Sequence, residues 1–464
     1  MAEKYDVVVV GGGPGGYVAA IRTAQLGKTV AIVEKEKLGG LCLNWGCIPS
    51  KALIRSAEVF HLMQNAKSFG LSAENIAFDF PKVIQRSRTV AKKLNKGVEY
   101  LMKKNKVTTF FGTAKLQKEK QVLITDQAGK QITISGSHII IATGGKHRSL
   151  PGIEIDHERI LNSTDAMLLQ EIPESMIIIG GGAIGVEYAY IYSSFGTKVT
   201  IVEMLPQILP VEDEEIVKTL TMNFKKTGIA IETGSRVERI EKKKDGVVVT
   251  VSGKEGEKQL SGDLALMAVG FSGNSENLGL EELGIATDRS FISVDDLCRT
   301  NLDGYFAIGD INGPPLLAHV ASAEGVVVAE HIADLNPKPV DYKNIPGCTY
   351  CQPQVASIGF TEKAAVEAGH EVKIGRFPLS AVGKAIALGE TTGFAKLIFD
   401  AKTDELLGAH LIGAEATELI AELGVARTLE TTCSELFKTV HAHPTLSEAI
   451  MEAAADAHGE AIHI

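Results

Sequence analysis

Asp6-Val7-Val8-Val9-Val10-Gly11-Gly12-Gly13-Pro14-Gly15-Gly16 is an apolar run that ends in a cluster of glycines. Met176-Ile177-Ile178-Ile179-Gly180-Gly181-Gly182-Ala183-Ile184-Gly185 repeats it. The first copy continues through a small-residue segment (Tyr17 to Leu26) and Gly27 to the run Thr29–Val33, which ends in Glu34. The second continues to Phe195, Gly196 and the run Lys198–Val202, which ends in Glu203. Each acid lies 23 residues after the first glycine of its loop, and each mid-unit glycine 16 after it. Each copy reads as strand, glycine loop, helix, and strand with an acid at its tip. The glycines permit a tight turn and let backbone N–H groups approach a pyrophosphate at the helix N-terminus. The acid can accept hydrogen bonds from ribose hydroxyls. One such fingerprint is weak evidence. Two complete copies predict two Rossmann-like, doubly wound nucleotide-binding domains in an α/β chain, against the blander reading of glycine turns with no nucleotide.

The rest of the chain sets the frame. Its 464 residues point to about three domains on size alone. A content of 45% hydrophobic and 22% charged residues is ordinary for globular protein. The net charge of −10 argues against nucleic acid and against an anionic membrane surface as partners. No stretch reads as a signal peptide or a spanning helix, since the apolar run Val7–Val10 stops at glycine. Six cysteines in a chain of this length do not make a disulfide scaffold, and a cytoplasmic location is expected.

Between the repeats, Tyr100–Ile141 is rich in β-branched runs and closes in Ala142-Thr143-Gly144-Gly145. After Glu203 come a polar helix (Glu212 to Lys226), strands near Val237 and Val247–Val251, and the run Leu264–Val269 closed by Gly270. A further strand, Gly304–Ile308, ends in Gly309-Asp310. From Pro346 the texture changes. Val355–Ile358, Glu371–Phe377, Ala395–Phe399 and Leu406–Ile412 read as one sheet, with helices at Glu415–Leu429 and Ser447–Ala457. This tail has no nucleotide signature and reads as a separate C-terminal α+β domain.

The segment Gly39-Gly40-Leu41-Cys42-Leu43-Asn44-Trp45-Gly46-Cys47-Ile48-Pro49-Ser50-Lys51 follows the first unit directly. Cysteines five apart on a regular helix have Cα atoms about 8–9 Å apart. A disulfide needs less than about 7 Å. If these two are bonded, the backbone is bent there, and Gly46 and Pro49 are suited to that. A disulfide beside a flavin can pass electrons to it. The competing readings are two buried thiols or half of a metal site, although no second ligand cluster follows and no metal is expected. Cys348-Thr349-Tyr350-Cys351 has redox-like spacing, but no helix start is evident after it, so it reads as packing. Cys298 and Cys433 are lone and read as structural.

Thiol–disulfide exchange needs a thiolate, so a dithiol substrate needs a base. Among 12 histidines, His441-Ala442-His443-Pro444-Thr445-Leu446-Ser447-Glu448 stands out. Ser447 is placed to cap a helix with Glu448 in its first turn, where a carboxylate can orient an imidazole. A capped helix start explains Ser447-Glu448 equally well.

Taken together, the cysteine segment, both glycine loops, Ala142-Thr143-Gly144, the strand end at Asp310 and the His-Ala-His-Pro-Thr-Leu-Ser-Glu run are recognisable. The chain resembles the dihydrolipoyl dehydrogenases among the pyridine nucleotide–disulfide oxidoreductases, over essentially its whole length and in the same motif order. The resemblance implies four parts: an FAD domain with the redox disulfide (1–148), an NAD domain (149–270), a central domain completing the FAD site (271–345) and a dimer-interface domain (346–464). It implies FAD against Gly11, Gly13, Pro14, Gly15, Gly16, Glu34, Lys35, Lys51, Gly112, Ala114, Thr143, Gly144, Gly145 and Asp310, with Leu316, Leu317, Ala318 and His319 nearby. It implies NAD along Gly180, Gly182, Ile184, Gly185, Glu203, Val237 and Gly270. Catalysis then falls to Cys42, Cys47, His443 and Glu448, with Lys51 near the flavin and Glu187 as its partner. The implied activity is oxidation of protein-bound dihydrolipoamide by NAD⁺. The implied partners are a second copy, which supplies the base, and a lipoyl-bearing chain of a 2-oxoacid dehydrogenase or glycine cleavage complex.

Several positions depart from the family pattern. Leu41 stands where threonine is common, Trp45 where a smaller apolar residue is common, and Gly145 where serine is frequent. Phe271-Ser272-Gly273-Asn274 replaces a common Arg-x-Pro-Asn. Mercuric reductases resemble the chain but carry a terminal cysteine pair, whereas this one ends His463-Ile464. Glutathione reductases use NADPH, whose extra phosphate needs basic residues; here Glu203 is followed by Met204-Leu205-Pro206. A mainly structural flavoprotein subunit has no need of the cysteine–histidine set.

Overall fold

A computed structural model describes residues 3–254 and 256–464. Its first sheet is built around Glu3–Val10, which pairs in parallel with Val30–Glu34 on one side and Gln131–Ile141 on the other. Val7, Val8 and Val9 are fully buried, as expected where a parallel strand is covered on both faces. Thr108–Phe111 adds to one edge, and the antiparallel strands Gln121–Thr125 and Thr113–Gln117 extend the other. Tyr305–Ala307 arrives from far along the chain and pairs in parallel with Gln131–Ile141. It delivers Gly309-Asp310 to the same sheet end as the first glycine loop.

The helix Pro14–Gln25 begins at proline, which needs no N–H in a first turn. It packs against Ala318–Ile332. Gly15 and Gly325 allow this close approach: a Cβ on Gly15 would meet Ala321, and one on Gly325 would meet the Gly15 carbonyl. Strands are expected from Tyr100 onward, but Tyr100–Lys104 closes a 25-residue helix, Phe80–Lys104. Ile84, Ala91, Val98 and Met102 recur on one buried face of it, and that helical period outweighs the local sequence.

The second sheet has five parallel strands in the order Ala230–Glu232, Lys198–Val202, Ser175–Ile179, Leu264–Met267, Ile160–Leu161. A three-stranded antiparallel sheet, Arg236–Lys243, Gly246–Gly253 and Gly256–Gly262, flanks it. The polar helix starts at Glu214 rather than Glu212, because the Asp213 side chain accepts the Glu215 N–H and caps it. Glu212 is left outside the helix and buried.

From Gly347 onward lies a five-stranded antiparallel sheet in the order Gly347–Thr349, Gln354–Gly359, Leu406–Gly413, Phe394–Asp400, Val372–Pro378. Ala416–Thr428 and Glu448–Ala457 cover it, with Phe377, Leu397, Phe399 and Ile450 in the core between. A buried charge ties this sheet to the second one. Lys396 is 1% exposed, yet its ammonium lies 3.0 Å from both Asp213 oxygens and 2.6 Å from Glu215. Glu362 adds a third acid at 2.7 Å. Burial alone lowers the Lys396 pKa, and these three carboxylates more than reverse that. The architecture is thus two Rossmann-like units with a C-terminal α+β domain. Among the described residues no helix is long and apolar enough to cross a membrane.

Candidate functional site

The two glycine loops are built alike to the level of single hydrogen bonds. Glu34 accepts the Gly12 N–H at 2.8 Å and the Glu36 N–H at 2.8 Å. Glu203 accepts the Gly181 N–H at 2.6 Å and the Leu205 N–H at 2.7 Å. Each acid therefore braces its own loop as well as standing at its strand tip. The helices that follow, Pro14–Gln25 and Ala183–Ser194, both start from a glycine N-cap with no side-chain cap. Their first N–H groups are left for a ligand, which suits a pyrophosphate.

Both loops open into one continuous cavity of about 1460 Å³. A single small-molecule pocket is usually about 300–1,000 Å³. Of the expected FAD contacts, Gly11, Gly13, Pro14, Gly15, Glu34, Lys35, Lys51, Gly112, Ala114, Thr143, Gly144, Gly145, Asp310, Leu316, Leu317 and Ala318 line it. Of the expected NAD contacts, Gly180, Gly182, Ile184, Glu203, Val237 and Gly270 do. Gly16 and Gly185 do not line it. A Cβ at either would strike a carbonyl oxygen of its own loop, Gly11 or Gly180, so their work is close helix–strand packing. His319 also lies outside the lining, with its Nε2 3.0 Å from the Pro346 carbonyl. Burial raises the pKa of the Asp310 carboxyl, and the nearby Glu324 charge raises it further.

Cys42 and Cys47 form a disulfide in the wall of this cavity, with Cα atoms 4.8 Å apart. The required bend is at Gly46, whose φ of −139° and ψ of −112° separate the helix Gly40–Trp45 from Cys47–Gln64. Pro49 is not at the bend. It sits in the first turn of the second helix, where it breaks no hydrogen bond. Cys47 is thus the first residue of an 18-residue helix, a position that favours a thiolate.

Lys51, one turn further on, is paired with Glu187 at 2.8 and 2.9 Å. Tyr350 completes this contact. Its N–H donates to Glu187 at 3.1 Å, and its ring lies 4.3 Å from the Lys51 ammonium. Sequence reading missed Tyr350, because nothing local marks a residue so far along the chain as a neighbour of Lys51. Its neighbour Cys348 lines the cavity, with a thiol pushed up to about 11 by burial. Cys351 is fully buried, its Sγ 3.2 Å from the Pro353 carbonyl, and Cys298 and Cys433 are buried too, so packing describes these three. Asp404, Cys433 and His458 come within 4.8 Å of one another, and His458 Nε2 meets the Asp404 carboxylate at 2.7 Å.

His443 does not reach the cavity. Its side chain is 75% exposed, with Nδ1 2.9 Å from Glu448 Oε1. The expected Ser447 cap is absent; Ser447 has helical angles and no capping bond. Glu448 instead accepts the Thr445 N–H at 2.9 Å and holds His443 with its other oxygen. Burial raises the Glu448 pKa, but these bonds prevail and leave it below the usual range. His441 is occupied on both nitrogens, by Thr439 O and Glu422, and its side chain is 6% exposed. Of the two histidines, His443 is the one with an accessible ring.

The family model described as pyridine nucleotide-disulphide oxidoreductase matches residues 5–325, and the corresponding dimerisation domain matches 345–454. The chain belongs to the pyridine nucleotide-disulphide oxidoreductase family. Among this family's members it is 49% identical over 465 residues to the dihydrolipoyl dehydrogenase of Zymomonas mobilis, each chain covered in full. It is 48% identical to that of Rhizobium etli and 45% identical to that of Bacillus subtilis, again over the full length of each. Among solved structures, LpdA from Mycobacterium tuberculosis superposes with a TM-score of 0.91 at 26% identity, covering 98% of this chain and 99% of that one. The HOCl-induced flavoprotein disulfide reductase RclA from Escherichia coli gives 0.88 at 28% identity, with the same coverage.

Proposed function

We propose that this chain is a dihydrolipoyl dehydrogenase that binds FAD and NAD and works as a cytoplasmic homodimer in a 2-oxoacid dehydrogenase or glycine cleavage complex. The observation that carries the reading is the Cys42–Cys47 disulfide, set at a helix N-terminus in the wall of a cavity shared by two glycine loops. The parts are assigned as FAD domain 1–148, NAD domain 149–270, central domain 271–345 and interface domain 346–464.

In this reading His443 of the partner subunit takes the proton of one substrate thiol, and Glu448 orients that ring and stabilises its cation. The new thiolate attacks Cys42 Sγ, and the Cys42–Cys47 bond breaks. Cys47 leaves as a thiolate at the start of its helix. His443 passes that proton to solvent and takes the proton of the second substrate thiol, whose sulfur displaces Cys42; Cys42 takes this proton from His443, and lipoamide departs. Bound FAD would lie along the first loop, Lys51 and Asp310, and supplies the two-electron relay to NAD⁺ on the second loop. The negative charge of Glu203 suits a ribose hydroxyl and repels a 2′-phosphate, which favours NAD over NADP.

An anaerobic assay comparing dihydrolipoamide with reduced glutathione, each against NAD and NADP, tests the proposal. Dihydrolipoamide with NAD should be preferred by orders of magnitude. Preference for glutathione, or for NADP, would overturn it.

A further inference from the structure

The loop between the two cysteines is held from outside by one helix, Phe80–Lys104. Asn95 of that helix donates to the Leu38 carbonyl ahead of the loop. Arg88 donates through Nη1 to the Asn44 carbonyl at 2.7 Å, inside the loop. Its Nη2 lies 3.4 Å from Met167 Sδ, and its guanidinium carbon lies 5.0 Å from the centre of the Trp45 ring. Nε is buried with no partner. Among the described residues no carboxylate forms an ion pair with Arg88.

That isolation matters when electrons arrive. Reduction of Cys42–Cys47 takes two electrons and one proton and leaves one thiol and one thiolate, so the loop gains a negative charge. A nearby cation in a dry setting favours that charge. Lys51 is largely neutralised by Glu187. Lys37, whose ammonium lies 5.2 Å from the centre of the Trp45 ring, is exposed and screened by solvent. Among the described residues, Arg88 is the half-buried cation at this loop that has no carboxylate partner. Trp45 supplies the flat surface that keeps it so, which gives a use to the large residue at a position where a small one is common.

We propose that Arg88 is a positioning residue that sets the reduction potential of the Cys42–Cys47 pair, holding its positive charge on the Asn44 carbonyl and the Trp45 ring so that the reduced pair is favoured. The inference rests on the disulfide reading given under Proposed function.

The test uses the FAD-replete enzyme, equilibrated anaerobically at fixed pH in mixtures of dihydrolipoamide and lipoamide. The fraction of reduced Cys42 and Cys47 is read by alkylation and peptide mass, which separates them from the four other cysteines. Arg88→Met should make the pair about tenfold harder to reduce, about 30 mV for a two-electron couple. Arg88→Lys, which keeps the charge, should shift it less than threefold. If Arg88→Met does not retain FAD, Arg88→Gln takes its place with the same thresholds. A neutral variant within twofold of the parent overturns the proposal, and so do equal shifts in the neutral and lysine variants, which would make Arg88 simple packing. A parent pair that resists reduction altogether overturns the disulfide reading itself, a result distinct from either of these.

Discussion

Lys51 Nζ lies 2.8 and 2.9 Å from the two carboxylate oxygens of Glu187, a residue 136 positions away. The pair joins the redox helix to the helix that follows the second glycine loop. Tyr350 adds the C-terminal domain to the same point, through its N–H to Glu187 and its ring over Lys51. One buried carboxylate therefore fixes the meeting of three parts of the chain beside the disulfide. Charge-assisted hydrogen bonds of this kind contribute about 1.5–3 kcal/mol each. Glu187→Gln should slow flavin reduction by dihydrolipoamide about ten- to a hundredfold with FAD content unchanged, as measured by anaerobic stopped flow. An unaltered rate would show that the pair only packs.

Cys47→Ser removes the sulfur at the helix N-terminus and leaves the glycine loops untouched. Purified protein should keep its FAD and its yellow colour, while NAD reduction by dihydrolipoamide falls to the assay background. Turnover near that of the parent would sink the disulfide mechanism.

His443 presents an exposed ring with Nδ1 tied to Glu448, so Nε2 is available to a substrate on another subunit. General-base catalysis contributes about 10²–10⁴-fold. His443→Gln should slow the dithiol half-reaction by about a thousandfold and leave reoxidation by NAD⁺ nearly unchanged. His441→Gln should disturb the dithiol step far less, because that ring is already spent on Thr439 and Glu422. Equal losses in both variants would remove the base assignment.

The parts legible in the sequence are those whose partners lie close along the chain. Glu34 braces Gly12 and Glu203 braces Gly181 across the same separation of 22, so a repeated spacing announced both loops. Disulfide geometry called for a bend between or beside the cysteines, with Gly46 and Pro49 both suited to it, and the chain bends at Gly46. The contacts of Tyr350 with Lys51, of Arg88 with the redox loop and of Lys396 with Asp213 left no such trace. Lys396 and Asp213 are 183 residues apart, and a lysine in a β-strand reads as a solvated side chain until the fold buries it. The helix Phe80–Lys104 was hidden for a different reason: its charged surface masks a narrow apolar stripe.

The two loops allow a paired experiment. A Cβ at Gly16 would strike the Gly11 carbonyl, and one at Gly185 would strike the Gly180 carbonyl. Gly185→Ala should leave FAD bound and still reducible by dihydrolipoamide, while the Michaelis constant for NAD rises at least tenfold. Gly16→Ala should instead yield protein depleted of FAD. Loss of FAD from the Gly185 variant would contradict the division of labour between the loops.

Glu212 carries a pH prediction. It sits where the second Rossmann unit meets the C-terminal sheet and accepts a hydrogen bond from Ser357 at 3.0 Å. Its other oxygen is buried without a partner. Burial pushes its pKa up to about 7, with the charge of Asp213 adding to it, against an ordinary value of 4.5. A carboxyl that binds its proton more tightly when folded supports the fold below its unfolded pKa. That support fades as pH rises from about 4.5 through about 7, and above pH 7 an anion is left buried beside Asp213 and Cys348. The effect amounts to at most about 3 kcal/mol. Glu212→Gln mimics the protonated side chain at every pH. Its thermal midpoint should match that of the parent at pH 5 and exceed it by several degrees at pH 8, where the parent must ionise. Scanning calorimetry of both holoenzymes at the two pH values checks this. A variant less stable than the parent at pH 8 would mean that the ionised carboxylate has a partner there and that the contact between the domains is not strained by its charge.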